Sequence, residues 1–449
     1  MNIKAIDLYL QKLKNGSKEV KNHIDDADLA DYLEDVKEKD ESKFFDYLNS
    51  LPLELRASTF MELPTSFQVD LIFKYDAKGL AEINEVLESD EATDLFIAIE
   101  KTDRAKSEEV FSLLSDKTQK NIEKLIAYDD DEAGSLMQTE VFKVSKEKTV
   151  AYAIEKLGRL KEEGMGTVQN VFITDEAGRF LQSISMDDLI LQDKESVFED
   201  ILGKYKPGYS VMSHDSMQSV MNMIEKYDIV SLAVVDRKGH LIGRITHDDV
   251  VDIMSEHATK QIYNLNNLNE DEEIQENFFK TTKSRGKWLA LNLFNVTLAS
   301  VVIGFFEETL NAIVALAVLM PIVANMAGTS ASQTMTVIVR QIGLGELELK
   351  DFPLLFKKEM SIATLNGFFF GLLTAFISQM RYHDPLVSLS IGLAMFFSFV
   401  MAGAIGTSIP MILKRFDIDP AVASSIFVLT FVDVIGFFSF LSIANFIIL

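Results

Sequence analysis

The stretch FVLTFVDVIGFFSFLSIANFIIL (residues 427–449) places a single carboxylate, Asp433, inside a long apolar segment. Counted from Pro420, the segment is long enough to cross a hydrocarbon core of about 30 Å as a helix. A rise of about 1.5 Å per residue puts Asp433 near the middle of the membrane. An ionised carboxylate is costly there unless it meets water, a cation or a polar partner. We therefore expect a functional Asp433; a protonated Asp bonded to a neighbouring helix is the alternative.

Four charge-free runs precede this segment and predict, with it, five membrane-spanning helices. The runs are residues 288–306, 309–339, 360–380 and 385–413. If the helices alternate from a cytosolic start, Arg381 is the one basic residue outside. The inside segments carry Lys280, Lys283, Arg285, Lys287, Arg340, Lys350, Lys357, Lys358, Lys414 and Arg415. This asymmetry predicts a multi-pass protein of the cell (plasma or inner) membrane, with cytosolic N-terminal domains and the C-terminus outside.

The second run contains Pro321 and then the small, polar string NMAGTSASQTMT (residues 325–336). Proline removes a backbone donor, and small residues let helices approach closely. Freed polar groups at membrane depth are tolerated against protein or a wet cavity. The string is therefore either a tight helix contact or a pore wall. The pore interpretation assigns the lining to Asn325, Gly328, Thr329, Ser332 and Thr336.

Five helices form a thin bundle in which to enclose a pore, so we expect a homodimer in the lipid bilayer. A two-fold axis beside the last helix would bring two Asp433 side chains together. Two such carboxylates would otherwise share a proton, and a divalent cation between them removes the conflict. Mg²⁺ suits such a site because it prefers oxygen ligands and keeps much of its water. Other divalent metals also accept oxygen ligands, so residue types leave selectivity open.

The charge of the chain lies in its first part. The formal charge of −25 over 449 residues divides into −26 for residues 1–279 and +1 for residues 280–449. An acidic field repels nucleic acid and concentrates cations, so no nucleic-acid partner is expected. With no cysteine in the chain, disulfides and thiolate metal sites are excluded. We find no nucleophile–base pattern and expect no enzyme activity.

Residues 1 to about 128 contain short amphipathic units separated by breakers, such as SKFFDYLNSLP and KGLAEINEVLESD, which predict a superhelical array of short helices. An internal repeat follows: FITDEAGRFLQSISMDDLI (residues 172–190) aligns with AVVDRKGHLIGRITHDDVV (residues 233–251). Each copy predicts two strands and a helix, with Ser185 and Thr246 as N-caps. The repeat resembles tandem CBS domains, which bind adenine nucleotides such as ATP in the cleft between them. That resemblance implies a ribose contact from Asp188 or Asp249; helix capping alone is the alternative.

The order of the whole chain resembles the MgtE family of magnesium channels. The motifs are YDDDEAGSLM, the CBS-like repeat, DDVVDIMSEHATKQIY, LMPIVANMAGTSASQTMTVIVRQIGLGE and FVDVIGFF. The implied fold is a multi-domain one: an α-helical superhelical N-domain, α/β tandem CBS domains, a plug helix and a five-helix α transmembrane domain. The predicted boundaries are 1–130, 131–253 (131–193 and 194–253), 254–282 and 283–449.

The resemblance also assigns residues. Asp433 matches the pore carboxylate of the family, and Asp419 matches an acid that meets the plug. The remaining acids match the magnesium sensor and its junction with the plug: Asp90, Asp94, Asp248, Asp249, Asp252 and Glu256. Two departures affect these expectations. Thr329 and Ala331 replace an amide and a glycine of the family's second membrane helix, and Lys260 and Gln261 replace two acids of the plug.

We therefore expect a dimeric pore that imports Mg²⁺ into the cytoplasm and is closed by Mg²⁺ bound to the cytosolic acids. Two alternatives remain open. One is a proton-coupled or broad divalent-metal secondary transporter (Mg²⁺, Mn²⁺, Co²⁺, Ni²⁺) in which Asp433 carries the proton. The other is a membrane-anchored metal or nucleotide sensor that transports nothing.

Overall fold

The computed structural model describes residues 3–14, 24–205, 208–266, 268, 278–416 and 418–448. The chain divides into two compact units, Met1–Ile253 and Met254–Leu449. The first contains an array of helices followed by two small α/β repeats, and the second contains the long apolar helices. The predicted fold class is confirmed.

Nine helices, most of them short, open the first unit within the described residues 3–14 and 24–126. They are α1 (Ile3–Lys14), α2 (Asp26–Lys39), α3 (Glu41–Ser50), α4 (Leu53–Glu62), α5 (Thr65–Lys74), α6 (Ala77–Val86), α7 (Ser89–Thr102), α8 (Arg104–Leu113) and α9 (Asp116–Ile126). Several acids of the predicted turns are N-caps: Asp40, Asp76 and Asp103 each accept a hydrogen bond from a backbone N–H of the following helix. One continuous apolar core, including Phe44, Phe60 and Leu80, runs through the array.

In the described residues that follow, two three-stranded sheets have the same topology. The first consists of β1 (Lys143–Ser145), β2 (Asn170–Thr174) and β3 (Phe180–Ser185), and the second of β4 (Ser210–Met212), β5 (Ser231–Val235) and β6 (Leu241–Thr246). In each sheet the first pair is parallel and the second pair antiparallel. The helices of the repeats are α10 (Val150–Glu162), α11 (Met186–Ile190), α12 (Phe198–Ile201) and α13 (Met217–Tyr227). The internal repeat predicted from the sequence is thus present as two matching units.

The two repeats pack against each other through equivalent turns. The Phe180 N–H donates to the Gly239 carbonyl at 2.9 Å, and the Leu241 N–H donates to the Gly178 carbonyl at 3.1 Å. Gly178 and Gly239 have φ values of 83° and 82°, which a residue with a side chain rarely adopts. Ser185 caps α11 as predicted, accepting from the Asp188 N–H. At Thr246 the direction differs, because its N–H and hydroxyl both donate to the Asp249 carboxylate.

Helix α14 (His247–Leu265) begins in the second repeat and runs without interruption into the segment predicted as the plug. Of that predicted segment, residues 267 and 269–277 lie outside the described part. The domain boundaries within this region remain predictions.

Among the described residues of the second unit, five helices are long and apolar enough to cross a membrane, as the charge-free runs predict. They are α15 (Phe278–Gly304), α17 (Val314–Gly343), α18 (Phe352–Tyr382), α19 (Pro385–Arg415) and α20 (Pro420–Ile448), and a short α16 (Glu307–Ala312) follows α15. The second predicted run, residues 309–339, is therefore divided at Ile313. This division explains why the run is longer than one span requires.

Helix α19 packs against α17, α18 and α20 and forms the centre of the unit. Glycines allow the close approach. A Cβ built on Gly371 would lie 2.7 Å from the Gly392 carbonyl oxygen, and one on Gly406 would lie 2.8 Å from the Ala331 carbonyl oxygen. Helix α15 packs against α20, and most of its side chains are exposed.

Candidate functional site

An open cleft in the second unit brings Asp433 together with the small, polar string of α17. The cleft has a volume of about 870 Å³. Its lining from α17 is Pro321, Ala324, Asn325, Gly328, Thr329, Ser332, Gln333, Thr336 and Val337, and its lining from α20 is Leu429 and Asp433. All five residues assigned to the pore wall from the sequence therefore share one surface with Asp433. Their role in ion passage remains a prediction.

The spacing along α17 explains this shared surface. Asn325, Thr329, Ser332 and Thr336 recur every three or four residues, so they lie on one face of the helix. The Thr329 hydroxyl donates to the Asn325 side-chain oxygen at 3.3 Å, which orients the amide. Residues between them, including Ala327 and Ala331, are fully buried in the core with Val428 and Val432 of α20. The string thus serves both interpretations drawn from the sequence, with one face packed and the other lining the cleft.

Asp433 differs from the rest of the lining. It is half-buried on α20, and it is the one acidic side chain among the described residues that line the cleft. The other polar atoms there are hydroxyls and the amides of Asn325 and Gln333. Such a surface can offer hydrogen bonds to the water shell of a cation while holding a single negative charge.

A buried carboxylate that the sequence analysis did not identify lies behind the cleft. Glu359 on α18 is 8% exposed, and its Oε2 accepts a hydrogen bond from the Thr334 hydroxyl of α17 at 3.1 Å. Thr334 is adjacent to Gln333 of the lining. The charge-free run that predicts this helix starts at Met360, whereas α18 starts eight residues earlier at Phe352, so Glu359 lies within the helix.

The end of α14 meets the C-terminal end of α17. The Arg340 guanidinium donates to the Gln261 side-chain oxygen at 3.2 Å, and Leu265 packs against the core that contains Ala327 and Ala331. Gln261 is one of the two positions where the family has an acid. A neutral acceptor therefore takes the place of a carboxylate opposite Arg340.

The first unit gathers acids from the start of α7, the end of α4 and the start of α14. We call this set the acidic cluster: Glu62, Glu88, Asp90, Glu91, Asp248, Asp249 and Asp252. Asp90, Asp248, Asp249 and Asp252 were predicted from the family resemblance, whereas the three glutamates were not. Asp94, predicted with Asp90, lies exposed one turn further along α7. The side chain of Glu256 lies outside the described part, and Asp419 caps α20 by accepting from the Ala421 N–H at 2.8 Å.

Burial and mutual repulsion dominate the electrostatics of the acidic cluster. Burial, with the Asp249 charge second, raises the pKa of Asp90 well above its ordinary value. Burial, with Glu88 second, raises the pKa of Glu91 to about 7. Burial also raises the pKa of Glu62, and Asp26 and Asp252 add to that effect. Carboxylates in this state favour either protons or a cation that replaces them.

Two neighbouring groups moderate the acidic cluster. Burial raises the pKa of Glu88, and Arg244, whose Nη2 lies 3.9 Å from Glu88 Oε2, acts in the opposite direction. The Gln138 amide donates to Asp249 Oδ2 at 3.4 Å. Asp90 Oδ1 is buried, and no hydrogen-bond partner is found for it among the described residues. Nothing in the sequence pattern identified Gln138 or Arg244, since both belong to elements far from α7 along the chain.

The acidic cluster is loose rather than cage-like. Within the described ranges, no group of three His, Cys, Asp or Glu side chains is close enough to hold a metal ion directly. Mg²⁺ commonly keeps several waters and contacts one or two carboxylates directly. An orphaned, buried carboxylate oxygen and a surplus of negative charge fit a hydrated divalent ion better than a dehydrated one.

Comparisons with known proteins agree with this organisation. A family model described as the MgtE divalent cation transporter matches residues 320–443, the MgtE intracellular N domain matches residues 24–131, and a CBS domain matches residues 205–256. Magnesium transporter MgtE of Thermus thermophilus is 30% identical over 361 residues, which is 79% of this chain and 79% of that protein. Its counterpart in Bacillus subtilis is 25% identical over 421 residues, covering 93% and 91% of the two chains.

A solved structure described as the soluble part of a magnesium transporter aligns with a TM-score of 0.50 at 24% identity. The alignment covers 57% of this chain and 100% of that one. At this level the likeness bears on the fold alone.

Proposed function

Because this chain belongs to the MgtE family of magnesium transporters, we propose that two copies form a pore through which Mg²⁺ enters the cytoplasm, and that Mg²⁺ bound to the acidic cluster closes it. The observation that carries the proposal is the cleft in which Asp433 faces Asn325, Thr329 and Ser332. Membrane location and a cytosolic N-terminal domain follow from the family and the five apolar helices.

The cleft suits a hydrated ion. Dehydrating Mg²⁺ is costly, so a pore that keeps the water shell needs acceptors and donors at the distance of the second shell. Hydroxyls and amides of α17 supply these, and Asp433 supplies the attraction. Conduction requires that binding be strong enough for entry and weak enough for release. One carboxylate per chain, rather than a cage of acids, meets both conditions.

The open side of the cleft supports the dimer. Pro321, Asn325, Thr329 and Thr336 are exposed in the single chain, although they lie at membrane depth. Exposed amides and hydroxyls at that depth require protein or water in front of them. A second copy related by a two-fold axis would supply the opposite wall and a second Asp433. A Mg²⁺ ion between the two carboxylates would then neutralise their repulsion.

The acidic cluster supports the gating step. At neutral pH and low Mg²⁺, the partly buried carboxylates repel one another, and this favours separation of α7 from the start of α14. A bound cation would reverse that preference. A nearly complete switch requires the closed arrangement to bind Mg²⁺ more tightly by about 5.5 kcal/mol, a sum that several weak sites can reach. Helix α14 would transmit the change to α17 through the contact between Gln261 and Arg340.

We also propose that adenine nucleotide binds in the cleft between the CBS repeats. Asp249 already accepts hydrogen bonds from Thr246 and Gln138, and it belongs to the acidic cluster. Asp188 is the better candidate for a ribose contact, because among the described residues its carboxylate does not belong to such a cluster. Binding of ATP to the wild type and to Asp188→Asn, measured by calorimetry, distinguishes the ribose role from capping alone.

The central test is Mg²⁺ uptake into liposomes that contain the purified full chain. We expect Asp433→Asn to lose at least about 90% of uptake, since removal of the single charge costs more than about 1.4 kcal/mol of ion attraction. Asp384→Asn is the matched control: it makes the same chemical change at the partly exposed N-cap of α19, where Asn also caps. Equal uptake by wild type and Asp433→Asn would overturn the pore assignment.

The same preparation distinguishes the alternatives. The lone charge of Asp433 in the cleft also suits a proton carrier in a coupled transporter. Steady unitary currents without a proton gradient support the pore, whereas uptake that requires such a gradient supports the coupled transporter. A sensor that transports nothing would show no uptake that Asp433→Asn can abolish.

A further inference from the structure

An apolar groove between α15 and α20 is separate from the cleft that contains Asp433. Its volume is about 540 Å³. Trp288, Leu291, Phe294, Asn295 and Leu298 of α15 form one wall, and Val422, Ile426, Phe427, Thr430, Phe431 and Val434 of α20 form the other. Phe294 is 60% exposed and Phe431 is 49% exposed, so the groove opens on the outside of the helix bundle.

The length of the groove matches one leaflet of a bilayer. From Trp288 to Leu298, ten residues of helix rise by about 15 Å. Half of a hydrocarbon core of about 30 Å has the same depth. A single acyl chain from the cytosolic leaflet would therefore fill the groove from end to end.

The α15 side of the groove's mouth is basic, whereas on the α20 side Asp419 lies one turn before Val422 and accepts from the Ala421 N–H. Helix α15 contains no acidic residue, and its cytosolic turns carry Lys283, Arg285 and Lys287 just before Trp288. Lys287 precedes Trp288 directly, and Lys283, one turn further out, lies at the Phe294 edge of the groove face by the 100° spacing of helix residues. Both side chains are exposed. Their flexible stems can follow the helix surface and place the ammonium groups at the headgroup level.

From the combination of a leaflet-long apolar groove with a cationic mouth, we infer that α15 and α20 bind one anionic phospholipid of the cytosolic leaflet. The acyl chain lies along Trp288 and Leu298, and the phosphate meets Lys283 and Lys287. Thr430 and Val434 of the groove wall are close neighbours of Asp433 along α20, so the occupant contacts the helix that carries the pore carboxylate. This binding does not depend on the proposed transport function.

The test uses Trp288 itself, because it is the single tryptophan of the chain. The purified full chain is placed in phosphatidylcholine vesicles that contain a minor fraction of dibrominated phosphatidylglycerol or, separately, dibrominated phosphatidylcholine. Bromine on an acyl chain quenches tryptophan fluorescence at contact. Each lysine near an anionic headgroup contributes about fivefold in affinity, so we expect a preference of about 25-fold for the anionic lipid.

Variants distinguish a specific lipid-binding site from general attraction between anionic lipids and basic residues. Lys283→Gln with Lys287→Gln should reduce the preference to nearly one, and Lys283→Arg with Lys287→Arg should retain it. The matched control, Lys350→Gln with Lys358→Gln, removes two basic residues that do not line the groove and should leave the preference unchanged. Equal quenching by both brominated lipids would overturn the inference. Quenching by neither would also overturn it, since protein would then cover the groove.

Discussion

The membrane cleft and the acidic cluster differ in how many carboxylates they contain and in how those carboxylates are surrounded. The cleft has one carboxylate, Asp433, surrounded by hydroxyls and amides, whereas the acidic cluster has seven carboxylates with few compensating groups. Both are suited to a divalent cation with its water, but with different strengths. Under the proposed function, the number of carboxylates separates a surface that must release its ion from one that must hold it.

The two regions also differ in what keeps them in place. Closely packed helices support the cleft from behind, so its shape should be insensitive to ions. The acidic cluster joins elements that lie far apart in the sequence, and its own charge opposes that packing. We therefore expect mutations behind the cleft to change transport and mutations in the acidic cluster to change the response to Mg²⁺.

The largest effect is expected from Gly406→Val. A Cβ at Gly406 would lie 2.8 Å from the Ala331 carbonyl oxygen and 3.3 Å from Thr334 Cβ, so α17 must move. Overpacking costs about 1–3 kcal/mol, and we expect Mg²⁺ uptake to fall at least about tenfold. Gly304→Val, where the added atoms meet open space, is the control and should transport normally. Normal uptake by Gly406→Val would contradict the view that α17–α19 packing maintains the cleft.

The second effect concerns Asp90→Asn combined with Asp249→Asn. In the wild type, bound Mg²⁺ should slow proteolysis of the cytosolic part by about tenfold or more, within the usual range of coupling between sites. In the double variant we expect Mg²⁺ to slow proteolysis by less than about twofold, because repulsion and ion binding are both reduced. The cleavage rate without Mg²⁺ should also fall. The control, Asp35→Asn with Asp228→Asn, neutralises two exposed acids outside the acidic cluster.

If that double variant keeps the full Mg²⁺ response, the acidic cluster is not the sensor. Uptake by the double variant should remain near the wild-type rate at low internal Mg²⁺, since the cleft is unchanged. A loss of uptake under those conditions would show that the two regions are less separate than we argue.

Periodicity and charge were sufficient to predict the main architecture. The charge-free runs identified the five long helices, and the offset repeat identified the two matching α/β units. The alternating small and polar residues of α17 identified one face of the cleft. These signals succeed because each depends on neighbours along the chain.

The acidic cluster was only partly predictable. Asp90 and Asp249 came from the family resemblance, whereas Glu62, Gln138 and Arg244 reach the same place through tertiary packing. Helix α18 shows a similar limit: a window without charge could not reveal that Glu359 is buried inside the helix. A charged residue near the end of an apolar run is usually solvated, so the burial of Glu359 is evident only from the structure.

The third prediction uses Glu359 to sharpen the comparison. Glu359→Ala removes the acceptor of the Thr334 hydroxyl and leaves that partly buried group without this partner, at a cost of about 1 kcal/mol. We expect uptake to fall about fivefold, with the Mg²⁺-dependent protection of the cytosolic part unaltered. Glu359→Gln keeps an acceptor and should recover most of the uptake. If Glu359→Ala and Glu359→Gln lower uptake equally, transport depends on the negative charge of Glu359 rather than on its hydrogen bond with Thr334.

A double-mutant cycle with Thr334→Val completes that test. If Glu359 acts by positioning α17, the effects of Glu359→Ala and Thr334→Val should not add. Additive effects would indicate that Glu359 influences uptake independently of Thr334.

The smallest expected effect is a pH dependence of the acidic cluster in the absence of Mg²⁺. Burial and neighbouring acids raise the pKa of Glu91 to about 7, so its protonation stabilises the packed arrangement. That stabilisation is complete below the ordinary glutamate range and is lost as pH rises through about 7. Proteolysis without Mg²⁺ should therefore be about threefold faster near pH 8 than near pH 6. This change is smaller than the roughly tenfold effect that a shift of one pKa unit has on an equilibrium. Saturating Mg²⁺ should remove the difference, and Glu91→Gln should flatten it. A cleavage rate that is equal at the two pH values, or faster near pH 6, would mean that ionised Glu91 does not oppose packing of the acidic cluster. The contrast with the membrane cleft, whose shape we expect to be insensitive to ions, would then lose its electrostatic basis.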